Sequence, residues 1–131
     1  MKENDFGMYR PLPGVGYDDA VERVEAALQQ EGFGILTRID VRETLKQKID
    51  VDFRPYVILG ACNPPLAHRA LSAEDTIGLM LPCNVVVAET DDGSEVAIVR
   101  PTVMMTVADA AGLEDVANEA QALLERALAN I

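Results

Sequence analysis

The chain has 131 residues, 49% of them hydrophobic and 25% charged, and carries a net charge of −11. That size and balance suit one globular domain over residues 1–131 and exclude a disordered chain. The acidic excess argues against nucleic-acid binding, which needs clustered Lys and Arg, and against docking on an anionic membrane. The opening residues hold no apolar core of a signal peptide, and no apolar run reaches the roughly 18 residues of a membrane span. The expected compartment is the cytoplasm, where two cysteines are expected as free thiols.

Residues 1–6 form a polar lead-in, and residues 7–12 read as a first strand ended by Pro13-Gly14. Asp18 is expected to cap a helix over 18–31, because Val21, Val24, Ala27 and Leu28 follow helical spacing and Gly32 supplies the stop. Residues 33–39 read as a strand. Residues 42–49 read as a short charged helix with Val41, Leu45 and Ile49 turned inward. The apolar run 55–62 is a strand, and Asn63-Pro64 then supplies a cap and a first-turn proline for a helix. Ser72 to Asp75 resembles a capping box that opens another short helix to about residue 81, where Pro82 stops it.

Residues 84–89 and 94–100 are strands joined by a Thr90-Asp91-Asp92-Gly93 hairpin. Residues 101–109, with Met104-Met105, read as irregular. The last helix covers about 112–130, with Leu113, Val116, Ala117, Ala120, Leu124, Ala127 and Leu128 in one stripe. The order predicts an α+β fold with two longer helices on one face of a mainly antiparallel sheet of about five strands. Residues 56–59 and 85–88 are apolar at every position, which one-sided strands should not be. The uncovered face is therefore expected to meet a second copy, giving a homodimer.

The chemistry-bearing residues cluster. Ala61-Cys62-Asn63-Pro64-Pro65 and Pro82-Cys83-Asn84 form two Cys-Asn pairs, and the sole histidine, His68, lies between them. Taken singly, each cysteine reads first as a small buried hydrophobe. As a set, Cys62, Asn63, His68, Cys83 and Asn84 outline a ligand site. Cys62, His68 and Cys83 would supply three metal ligands, with a fourth from Met80, Met104 or a carboxylate. Such donors suit zinc or, better, Cu(I).

A position just before a helix N-terminus would stabilise a Cys62 thiolate. The leading reading is a binding module for a small molecule or soft metal rather than an enzyme. The alternatives are a thiol enzyme or redox protein with Cys62 as nucleophile, Cys83 as resolving thiol and His68 as base, and a non-catalytic interaction subunit. Gly14-x-Gly16 is no dinucleotide fingerprint, and Asp91-Asp92 is a hairpin tip, not an acid/base dyad.

The words Phe53-Arg54-Pro55-Tyr56-Val57-Ile58-Leu59-Gly60-Ala61-Cys62-Asn63-Pro64, Leu66-Ala67-His68-Arg69-Ala70-Leu71 and Ile77-Gly78-Leu79-Met80-Leu81-Pro82-Cys83-Asn84-Val85-Val86-Val87 resemble domain-of-unknown-function family 302. The resemblance extends over about residues 9–128. It implies a β-α-β(4)-α core with short helices inserted, similar to the TATA-binding-protein-like group of folds, and a homodimer. It implies no activity.

Overall fold

The computed structural model describes residues 1–108 and 110–131. Five strands, β1 (Gly7–Pro13), β2 (Gly34–Asp40), β3 (Tyr56–Cys62), β4 (Cys83–Thr90) and β5 (Gly93–Val99), form one sheet in the order β1-β5-β4-β3-β2. Every neighbouring pair is antiparallel. The helices are α1 (Tyr17–Gln30), α2 (Val41–Ile49), α3 (Pro64–Ala73), α4 (Pro101–Met104) and α5 (Leu113–Ala129), with 3-10 turns at Asp75–Met80 and Met105–Val107. The α+β architecture read from the sequence is the one found. Among the described residues no helix is long and apolar enough to cross a membrane.

The alternation of the strands builds the core. Val57, Leu59 and Ala61 of β3, Val85 and Val87 of β4 and Val96 and Ile98 of β5 meet Val21, Val24 and Leu28 of α1 and Leu124 and Ala127 of α5. Each fully buried aliphatic side chain contributes about 1.5–3 kcal/mol. A second cluster joins Leu66 and Ala70 of α3 and Ile77 to Met105 and to Leu113, Val116, Ala117 and Ala120 of α5. Helix α5 thus serves two cores, its first half holding the short helices and its second half the sheet. The core face of the sheet is the one that meets α1 and α5.

The other face carries a continuous row across all five strands. The register aligns Ile39, Ile58, Val86, Ala97 and Tyr9 in turn. Ile39 is 48% exposed and the rest are half-buried. The adjoining row is Tyr56, Ala88, Glu95 and Pro11. Its one carboxylate, Glu95, is held by the Met1 amino group at 3.1 Å.

Several local expectations are corrected. Asp18 lies within the first turn of α1, whose cap position is Gly16 with no side-chain bond. The cap of α2 is Asp40, whose carboxylate accepts from the Glu43 N–H at 2.9 Å. None of the three apolar residues of α2 is buried, and Ile49 is 62% exposed. Ser72 is no cap, since its hydroxyl donates to the His68 carbonyl. Glu74 takes that role by accepting from the Thr76 N–H. Residues 101–107 are helical rather than irregular, because Pro101 is pre-set for a first helical turn. The reading of 101–109 as irregular extends to Asp109, which lies outside the described residues.

The hairpin tip packs so closely on β1 that only glycine fits at Gly93. A Cβ there would overlap the Leu12 carbonyl oxygen and stand 2.7 Å from the Gly14 nitrogen. Both obstacles are backbone, which cannot swing aside. Gly93→Ala is expected to cost about 1–3 kcal/mol in urea unfolding. An unchanged midpoint would show that the β1–β5 corner is not tightly packed.

Candidate binding site

Antiparallel pairing sets Ala61 opposite Cys83 and Gly34 opposite Cys62. The end of β3 and the start of β4 therefore bring Cys62 and Cys83 to the same end of two adjacent interior strands, where α3 departs. Both are free. Cys83 is 6% exposed and Cys62 is half-buried.

Asn63 is fully employed as structure. Its side-chain oxygen accepts from the Leu66 N–H at 3.3 Å, capping α3. Its amide nitrogen reaches the Glu31 carbonyl at 3.5 Å, beside the end of α1. The first two positions of α3 are Pro64 and Pro65, which have no N–H, and the Ala67 N–H bonds to the Asn63 carbonyl. No amide of that first turn remains for an anion. The expected stabilisation of a Cys62 thiolate by free amides is thus absent, and burial instead pushes the Cys62 thiol above its usual range. Burial, with the neighbouring Cys62 adding to it, pushes the Cys83 thiol up to about 11.

Cys62, Asn63 and Cys83 are among the residues lining a cavity of about 30 Å³, with Phe33, Leu66 and Met105 also in its walls. It lies where the two cores meet, under the middle of α5. A water molecule needs about 10–15 Å³, and metabolite pockets span about 300–1,000 Å³, so the cavity as it stands holds only a very small guest. Its walls contain no carboxylate, lysine or histidine.

Of the five residues marked from the sequence, Cys62, Asn63 and Cys83 meet at the cavity. His68 is exposed on α3 and is not one of its walls. Asn84 is exposed on the open sheet face, opposite Gly60. Among the described residues no group of three or more His, Cys, Asp and Glu side chains is placed to hold a metal. Met80 and Met104 are half-buried elsewhere, and the methionine at the cavity is Met105. Reading Met104-Met105 as a pair in irregular chain hid this. The helical turn from Pro101 selects the second of the two for the interior. Arg54 makes no ion pair among the described residues. Its guanidinium donates to the Glu89 carbonyl and lies 6.0 Å from the Tyr56 ring centre.

The high Cys83 value has a consequence at alkaline pH. A thiol raised from 9.0 to about 11 binds its proton more tightly in the folded chain. Its contribution is complete below about pH 9 and is lost as pH rises towards 11, amounting to about 2–3 kcal/mol. Denaturant titrations at pH 8.5 and 11 should show the wild type losing that much more stability than Cys83→Ala. Equal losses would place the Cys83 thiol in contact with water.

The family model for domain of unknown function DUF302 matches residues 8–131. The chain belongs to the DUF302 family. A crystal structure of an uncharacterised conserved DUF302 protein from Bacillus stearothermophilus is similar, with a TM-score of 0.87 and 31% identity over 97% of this chain and 98% of that one. No curated protein matches the chain. The DUF302 match thus spans nearly all of the sheet and its helices.

Proposed function

We propose that this DUF302 domain is a homodimeric, non-catalytic binding module whose ligand site is the thiol-lined cavity at the start of α3. The observation that carries the reading is that Cys62, Asn63 and Cys83 converge on one cavity although 21 residues separate the cysteines. Binding suits the site better than thiol catalysis. A catalytic thiol needs a depressed pKa and a base in contact. Here both thiols are raised, and the His68 imidazole has no hydrogen-bond partner among the described residues.

The homodimer is supported by the row Ile39, Ile58, Val86, Ala97 and Tyr9, which no long helix covers. Two chains of net charge −11 repel over most of their surfaces. This uncharged row is where a second copy meets no repulsion, and a sheet face suits the two-fold symmetry of a dimer.

The site reading is tested with iodoacetamide. Protein purified without chelator is compared with the same protein unfolded and refolded in chelator and reductant. An occupied cavity shields Cys62, so stripping should speed its alkylation severalfold. Identical rates before and after stripping would count against the reading.

A further inference from the structure

Three sulfur-bearing residues, the thiols Cys62 and Cys83 and the thioether Met105, are among those that line the same small cavity. Resting on the binding-module reading above, we infer that the cavity is a site for one monovalent soft cation of the Cu(I) class, held by Cys62, Cys83 and Met105 and without His68.

The donor chemistry selects the ion. Thiolate and thioether sulfurs favour Cu(I), whereas Mg, Ca and Mn need oxygen ligands. The one side-chain oxygen in the walls belongs to Asn63 and already accepts from the Leu66 N–H. Zinc is disfavoured as well: with three protein ligands it completes its tetrahedron with water, which the apolar walls leave no room for. Low coordination by sulfur is what a d10 monovalent ion accepts.

Size and access agree. About 30 Å³ admits a single ion but no metabolite. Cys83 lies at the back and Cys62, half-buried, lies towards solvent, which gives the ion a path. The walls are otherwise apolar, with Phe33, Leu66 and Val116 excluding water that would compete for the ion.

The binding step balances without any redox change. One Cu(I) displaces the proton of each thiol to give a dithiolate complex of charge −1, and two protons leave to solvent. Met105 adds a neutral third donor. Since the cavity walls hold no other titratable group, both protons come from Cys62 and Cys83.

The test uses the whole chain, anaerobic and with a non-thiol reductant, titrated with Cu(I) against a chromogenic Cu(I) chelator. The expected result is one ion per chain with two protons released. Cys62→Ser and Cys83→Ser should each abolish binding at the wild-type chelator concentration. Met105→Leu conserves volume and apolar character, so the fold should survive it. Because that variant removes the third donor, it should weaken Cu(I) at least about tenfold, the smallest loss seen even for residues that only support a metal's ligands.

Release of a single proton, or an affinity untouched by Met105→Leu, would overturn the assignment and mark adventitious capture by one thiol. Absence of Cu(I) binding together with stripping-dependent alkylation of Cys62 would refute the ion while leaving the binding-module reading intact. Absence of both would remove the two together.

Discussion

Val86→Asp is expected to turn the proposed homodimer into monomers while leaving the fold in place. Val86 is half-buried at the centre of the row that runs from Ile39 to Tyr9. In the free chain its side chain has solvent on one side, so a carboxylate there remains hydrated. In a face-to-face dimer the same carboxylate loses its water with no cation to receive it. Two-fold symmetry introduces the penalty twice. Desolvating an unpaired charge costs several kcal/mol, and each 1.4 kcal/mol is tenfold in affinity, so the dissociation constant should rise at least about a hundredfold. Sedimentation equilibrium reads this directly. Leu79→Asp is the control, because Leu79 is 90% exposed and lies on the Asp75–Met80 turn, outside the five strands. Dimer loss in the control, or a Val86→Asp protein that still dimerises, would place the interface elsewhere.

Phe33→Ala should cause the largest loss of stability of any single truncation near the site. Phe33 is 2% exposed and heads the fully buried side chains by size. It immediately precedes β2, and its N–H bonds back to the Leu28 carbonyl at 2.9 Å, so the end of α1 aims the ring inward. The ring belongs to the sheet core and also forms a wall of the thiol cavity. Deleting it removes about 3–5 kcal/mol, a large share of the roughly 5–15 kcal/mol that holds a domain together. Beyond the shift in the urea midpoint, enlarging the cavity should open Cys83 to iodoacetamide under native conditions. A loss below about 1 kcal/mol with Cys83 still protected would mean that the two cores do not meet at this ring.

Much of the fold was legible because short-range patterns decide it. The Asp91-Asp92-Gly93 tip, the stripe of α5 and the Asn63-Pro64 start of α3 are local devices, and each stands where the sequence put it. The misreadings arose where two local signals compete. Asp18 has the chemistry of a cap but lies inside the helix, while Asp40, also acidic and one residue before Val41, takes the cap of α2. Pro101 carried the signal for a helical turn, and the methionines that follow masked it.

The site was legible only in part. Cys62 and Cys83 were expected near the same end of the sheet because the helices between them return the chain to it, and Ala61 does face Cys83. His68 was included from proximity in sequence alone, but the rotation of α3 after its cap turns position 68 outward. Met105 was missed because its place depends on α5 packing against α3, a contact between parts of the chain about forty residues apart or more that no local pattern encodes.

Native mass spectrometry of untagged protein, purified without chelator under reducing conditions, is the most direct test of a dimeric binding module centred on the two Cys-Asn pairs. The expected spectrum is a dimer whose mass exceeds twice the chain mass by a fixed amount per chain, with that excess lost in both Cys62→Ser and Cys83→Ser. A bare monomer, or an excess mass that survives both substitutions, would contradict it.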